Sequence, residues 1–289
     1  MLSTMLGACA APRPAEPGPA IARAPEVRIT QEPLPADFAL EGAIMQGGAA
    51  LGTAPRGTAS LTLDGRPVGI AADGRFLIAF DRDAGPSAVL LATMPDGRTV
   101  RQPLTVAPRD WPIERVNVPM RPVASTEAFL ALRKPELEQI AAARAVRSGS
   151  QGWRQRFAWP RTGRISGLFG AQRIYRGGEA GAFHGGVDIA AGTGATVLSP
   201  ADGVVVLAAD HPFTLEGNLL IIDHGMGLNS AFLHLSRIDV KEGDHVAKGQ
   251  PLGAVGATGR ASGPHLHWAL KWDDARIDPL LLAGPMPGS

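Results

Sequence analysis

The sequence predicts a mainly β protein in three parts: an N-terminal immunoglobulin-like β-sandwich, a helical connector, and a C-terminal twisted antiparallel β-sheet domain. Three observations carry that prediction. Short apolar runs in the first half are separated by Asp-Gly pairs. One stretch of helical periodicity lies near the middle. After it, short apolar segments return between glycines, with no strand–helix alternation. The 289 residues include 36 glycines and 25 prolines, a turn-rich composition, and the length suits two domains with a core in each.

Taken in order, residues 1–11 are small and apolar and carry no charged side chain. Leu6-Gly7-Ala8-Cys9 resembles a bacterial lipobox, in which the cysteine is lipidated and becomes the new amino terminus. The following residues, 11–26, form an Ala/Pro-rich spacer unsuited to folding, which would serve as a tether. A complete secretory signal also needs a basic segment, so a start upstream or a truncated chain is expected. In such lipoproteins, Ala10 after the cysteine implies the outer membrane.

The β-sandwich is expected over residues 27–118. Its predicted strands lie at 59–63, 68–71, 76–80, 88–93 and 99–106, with Asp64-Gly65, Asp73-Gly74 and Asp96-Gly97 as turns. Glycine accepts the positive φ of tight hairpin turns, which is why these pairs punctuate strands. The region contains no histidine and reads as a structural or carbohydrate-contacting spacer.

A helical connector is expected over 119–152. Phe129, Leu130, Leu132, Leu137, Ile140 and Ala141 follow helical spacing. Pro135 suits the first turn of a new helix, so one or two helices are expected, ending near Ser148-Gly149-Ser150.

The remaining domain, 153–285, contains strand-like segments at 196–199, 203–209, 219–223, 228–233, 251–255 and 265–271. All seven histidines follow residue 183. That segregation locates the chemistry, because imidazole is a common metal ligand and general base. In a strand, His265 and His267 point to one side while Leu266 and Trp268 pack behind. In His184-Gly185-Gly186-Val187-Asp188, two glycines let imidazole and carboxylate bend onto one centre. A catalytic zinc takes three protein ligands and keeps one position open. His184, Asp188 and one histidine of the pair supply that count, leaving the other histidine and His234 to handle protons.

These segments resemble the zinc metallopeptidase family M23, the lysostaphin/LytM-type endopeptidases. The family pattern appears as Phe183-His184-Gly185-Gly186-Val187-Asp188-Ile189-Ala190, Phe232-Leu233-His234-Leu235 and Gly263-Pro264-His265-Leu266-His267. Two intervening stretches, 217–225 and 243–250, also match, and the resemblance covers about residues 160–275. It implies one Zn2+ per chain held by His184, Asp188 and His267. It further implies His265 as general base and His234 as a partner stabilising the transition state. Phe232 stands where many relatives have tyrosine. The sole tyrosine, Tyr175, is a candidate hydroxyl donor to the substrate or oxyanion, or else a rim aromatic. Asn218 is a second candidate for such a contact. His211 and His245 read as surface residues and His224 as a turn-capping or supporting group.

The resemblance implies hydrolysis of peptide cross-links in bacterial peptidoglycan, and a periplasmic enzyme of the cell envelope, or one held at the outer membrane by a lipid on Cys9, would meet that polymer directly. The alternative is a non-catalytic LytM-type regulator that binds cell wall or activates an amidase. The filled ligand positions speak against it. A third reading, a biotinyl- or lipoyl-type carrier with Lys248 at the tip of a hairpin in 240–255, leaves the four matched histidines without a purpose. Composition excludes other classes. The net charge of +1 gives no basic field for nucleic acid, and a single cysteine excludes a disulfide framework or a multi-cysteine metal site. No apolar run reaches the ~18 residues of a membrane-spanning helix.

Overall fold

The structure is a computed structural model that describes residues 34–120 and 126–287; Cys9 and the 11–26 spacer lie outside them. Residues Leu34–Ser289 make up one compact unit. The first strands are β1 (Ala39–Gly42), β2 (Ala49–Thr53), β3 (Ser60–Leu63), β4 (Arg66–Val68), β5 (Arg75–Ala79), β6 (Ser87–Thr93) and β7 (Thr99–Thr105). They form two antiparallel sheets, ordered β1-β2-β5 and β4-β3-β6-β7. Leu61, Phe76, Ile78 and Leu90 from both sheets are fully buried in a shared core.

Asp64 and Gly65 both take positive φ, 49° and 78°, and close β3 onto β4 as a two-residue hairpin. Asp96-Gly97 lies in the longer turn, residues 94–98, that joins β6 to β7, with Gly97 at φ of 86°. The Asp73-Gly74 turn reverses the chain, but β4 ends at Val68 and pairs with β3, whereas β5 pairs with β2 in the other sheet. Turn chemistry decides where the chain reverses. Burial of Phe76 and Ile78 decides which sheet receives the strand.

Next come β8 (Ile113–Arg115) and helix α1 (Glu127–Ala145). Thr126 caps α1, its Oγ1 accepting from the Phe129 amide at 3.2 Å. The helix continues through Pro135, correcting the expectation that a new helix starts there. Proline removes the donor to the preceding turn, but Glu136 beside it is anchored from outside. Its carboxylate accepts from the Thr214 amide and hydroxyl, each at 2.6 Å. Leu130, Leu132 and Leu137 are exposed, and the buried residues of α1 are Glu136 and Ala143. Of the periodic apolar positions Ile140 packs inward beside Ala143, whereas these leucines face outward.

The remaining strands are β9 (Ile165–Gly167), β10 (Gln172–Ile174), β11 (Val187–Ala190), β12 (Thr196–Leu198), β13 (Gly203–Ala208), β14 (Asn218–Asp223) and β15 (Leu228–Leu235). They are followed by β16 (Arg237–Ile238), β17 (His245–Val246), β18 (Pro251–Ala254), β19 (His265–Trp272) and β20 (Ala275–Ile277), then the short helix α2 (Pro279–Ala283). The main sheet runs β17-β13-β14-β15-β19-β11-β9, with β20 also paired to β19; a second sheet runs β12-β18-β16. All these pairs are antiparallel, as expected. The exception is β10, which pairs in parallel with β8 and so ties the segment after the sandwich to this part of the chain. Arg82, almost fully buried, donates to the Gly170 carbonyl at 3.0 Å, and Arg109 pairs with Asp278 at 2.8 Å across the same junction.

Candidate metal centre

Three adjacent strands of the main sheet, β15, β19 and β11, build the site. Along β19, Leu266, Trp268 and Leu270 are fully buried, so His265 and His267 fall on the opposite face. Register places Asp188 directly across from His267 and Ala190 across from His265. Since Val187 and Ile189 are buried, Asp188 emerges on the histidine face. His184 arrives from the loop before β11. Two glycines follow it, and a Cβ on Gly186 would lie 2.8 Å from His267 Nε2, so a larger residue there would collide with the ring.

The donor atoms converge closely. Asp188 Oδ1 lies 2.9 Å from His267 Nδ1 and 3.1 Å from His184 Nε2, and the two imidazole nitrogens are 3.0 Å apart. A tetrahedral ion with bonds of ~2.0–2.2 Å needs ligand separations of about 3.3 Å. The triangle is thus within a few tenths of an ångström of a zinc-type coordination edge. Its chemistry of two imidazoles and one carboxylate also suits that ion.

Backbone carbonyls fix which nitrogen faces inward. His184 Nδ1–H donates to the Leu168 carbonyl at 3.0 Å, leaving Nε2 free to ligate. His265 Nδ1–H donates to Gly263 O and His234 Nδ1–H to Thr258 O, both at 2.8 Å. Each of those rings therefore presents a bare Nε2 to the cavity. His265 Nε2 stands 3.6 Å from Asp188 Oδ1, and the His234 and His265 ring centroids are 4.9 Å apart. His234 has φ of 63°, a left-handed backbone uncommon for a non-glycine residue, next to a register shift in the β14–β15 pair.

Burial pushes the Asp188 carboxyl upward, but hydrogen bonds from His184 and His267 outweigh it and hold the group well below the usual carboxylate range. Burial likewise depresses His184, yet its bond to Asp188 carries it above the ordinary imidazole value. Burial keeps His267 and His234 below that value, favouring their neutral forms. A carboxylate that stays ionised and an imidazole that stays neutral are the states in which these groups bind a cation.

Two cavities open from the cluster. One, about 590 Å³, is lined by Glu216, His234, Arg260 and Ser262 beside the cluster. The other, about 1130 Å³, runs past Leu168, Tyr175 and Phe183 to Ile113 and Glu114 on β8. Tyr175 is thus a half-buried wall residue of the larger groove. Asn218 lines neither cavity; its side-chain amide donates to the Leu235 carbonyl at 2.8 Å. His224 is fully buried, with Nδ1–H donating to Asp202 O and Nε2 accepting from Ser230 Oγ, both at 2.8 Å. His211 and His245 are exposed.

Several contributors were not anticipated. Gly167 on β9 sits where a Cβ would be 2.4 Å from Asp188 Oδ2. The carbonyls of Leu168, Gly263 and Thr258 leave no side-chain signal in a sequence. Glu216 and Arg260 are charged residues that a motif scan centred on histidine passes over.

The sequence model of Peptidase family M23 matches residues 182–279. The chain is 41% identical over 116 residues to the peptidoglycan DD-endopeptidase ShyA of Vibrio cholerae, covering 40% of this chain and 26% of that protein. It is 37% identical over 133 residues to the cell division protein DipM of Caulobacter vibrioides, covering 44% and 21% respectively. The aligned stretch thus spans about a quarter of the length of these relatives. A crystal structure from Pseudomonas aeruginosa named for peptidase M23 superposes with a TM-score of 0.63 at 28% identity, covering 83% of this chain and 94% of that one.

Proposed function

We propose that this chain, whose residues 182–279 match the Peptidase family M23 model, is a zinc-dependent endopeptidase that hydrolyses peptide cross-links of bacterial peptidoglycan. The observation that carries the reading is the triangle of His184, Asp188 and His267, flanked by two further histidines whose tautomers are fixed. Similarity to a protein named as a peptidoglycan DD-endopeptidase supports the substrate class.

In this reading His184, Asp188 and His267 would hold one zinc ion. Bound there, the ion would supply Lewis-acid chemistry toward the scissile carbonyl and the attacking water. His265, with its bare Nε2 beside the centre, takes the proton of the attacking water and passes it to the leaving amine. His234 donates from Nε2 to the developing oxyanion when protonated. Tyr175 lies on the wall of the larger groove and is proposed to contact the substrate there. The sandwich and helix precede the catalytic part as a spacer, and a lipid on Cys9 would hold the protein at the envelope where the polymer lies. No helix among the described residues is long and apolar enough to cross a membrane.

The test is incubation with purified sacculi and defined cross-linked muropeptides, with and without chelator. Conversion of dimers to monomers, stopped by chelator and restored by zinc, is the expected result. Equal digestion by His184→Ala would overturn the reading. The alternative, a non-catalytic regulator, would release nothing and need not retain stoichiometric zinc.

A further inference from the structure

One guanidinium remains unpaired where the two cavities meet. Arg260 lines both of them, along with His184 and Asp188. The other charged side chains on these walls have partners. Glu216 accepts from Arg133 at 2.5 and 2.7 Å, Arg173 pairs with Glu114 at 2.7 Å, and the His–Asp–His triangle is bonded within itself. His184, His234, His265 and His267 all line the smaller cavity. Arg260 has neither an ion pair nor a side-chain hydrogen bond among the described residues.

Its backbone, by contrast, is fixed. The Arg260 amide donates to Leu215 O at 2.9 Å. Gly259, at φ of 69°, packs so closely on the neighbouring loop that a Cβ would fall 2.3 Å from the Gly217 amide nitrogen. Thr258 is bound on both sides, accepting from the Asn218 amide and donating to Leu235 O, each at 2.9 Å, while its carbonyl orients His234. A rigid platform that already positions one cavity histidine thus also holds out an unpartnered arginine. Ser262 brings a hydroxyl to the same cavity.

We propose that Arg260 binds a free carboxylate of the substrate, borne by a residue next to the scissile bond, and so makes the site selective for anionic peptides. A planar guanidinium with its fork of N–H donors matches a carboxylate bidentately, which a hydrated lysine does not. The proposal rests on the peptidase reading above for what occupies the cavities, and deepens it by naming the chemical feature recognised.

The experiment compares two cross-linked stem peptides that differ only in whether the carboxylate beside the cross-link is free or amidated. Each is prepared with an ordinary scissile amide, for hydrolysis, and with an N-methylated one, for binding to the zinc-loaded protein without turnover. Wild type is expected to bind the free acid about 10- to 100-fold more tightly than the amide. Arg260→Gln is expected to bind both like the amide, and Arg260→Lys to recover only part of the preference. A preference that survives in Arg260→Gln, or is absent from wild type, overturns the proposal. Acid-selective binding without hydrolysis of the ordinary amide would count against the peptidase reading alone. Hydrolysis without acid selectivity would count against Arg260 alone.

Discussion

Asp188 and His267 face each other across the β11–β19 ladder with Oδ1 and Nδ1 2.9 Å apart. A cross-strand pair on one face of a sheet is about as rigid a support as a protein offers for two ligands of one ion. Zinc is therefore expected to stabilise the fold measurably. A ligand that binds only the native state at 100 times its Kd adds about 2.7 kcal/mol. Thermal unfolding of wild type should shift upward by several degrees on zinc addition and fall back with chelator. Asp188→Ala should show no such shift and should lose hydrolysis at least 100-fold. An equal zinc shift in Asp188→Ala would remove this triangle as the metal centre.

Gly167→Ala tests how closely the wall fits the ligands. The added Cβ would sit 2.4 Å from Asp188 Oδ2 and 3.1 Å from His184 Cε1. Carboxylate and imidazole would both have to move, while β9, the edge of the main sheet, can be displaced without breaking it. Zinc affinity is expected to fall about 10- to 100-fold, comparable to losses on disturbing groups that orient ligands. Circular dichroism should stay that of wild type. Competitive titration with a metallochromic chelator reads the affinity, and an unchanged value would show that the wall can yield.

The site's geometry was legible because it rests on the two-residue period of β19 and on the His184–Asp188 spacing, both visible in sequence. What orients these side chains was not. Leu168, Gly263 and Thr258 act through carbonyls, and any residue has one. In the first half, Asp64-Gly65 and Asp96-Gly97 led correctly to hairpins, whereas Asp73-Gly74 could not reveal that β5 crosses to the other sheet. β1 and β2, poor in large apolar residues, gave no alternation to read. Pro135 misled for a specific reason: helix rules weigh local hydrogen bonds, and α1 is held in addition by Arg133 pairing with Glu216, 83 positions away, and Glu136 accepting from Thr214, 78 away.

Those contacts make α1 a support for the smaller cavity. Arg133 bridges Glu136 and Glu216, all three largely buried, and Glu136 also receives the Thr214 amide and hydroxyl. Burial alone would raise the Glu136 carboxyl, but the Thr214 bonds and Arg133 hold it below the ordinary value. Removing one partner of a buried pair is costly because the other charge is left uncompensated, and full burial makes that cost ~3–5 kcal/mol. With partial exposure, Arg133→Met is expected to cost about 2 kcal/mol. It should also loosen the 214–217 loop that carries Glu216 into the cavity, raising KM several-fold with a smaller change in kcat. A loss confined to kcat would mean that α1 does not act through this loop.

The last prediction concerns acid stability and His224, far from the ligands in function but fully buried. Desolvation lowers its pKa to about 4, although the Asp202 carbonyl and nearby carboxylates oppose the shift. The hydrogen bonds agree with the neutral form, since Nε2 must be bare to accept from Ser230. Unfolded, the same imidazole titrates near 6.5. Between about pH 6.5 and 4 the unfolded chain thus binds a proton that the native chain refuses, so stability falls as the pH falls through that window and is fully present above it. The shift amounts to about 3 kcal/mol across the window. His267 and His234, also depressed, add slopes of the same sign, and His184, raised by Asp188, adds one of opposite sign. Comparing wild type with His224→Gln in chelator cancels these to first order. The variant should be less stable at pH 7.5, by ~1–3 kcal/mol from the altered buried bonds. Its urea midpoint should then decline less steeply than that of wild type between pH 6.5 and 4. Parallel profiles for the two proteins would show that His224 takes up its proton in the folded state as readily as in the unfolded one.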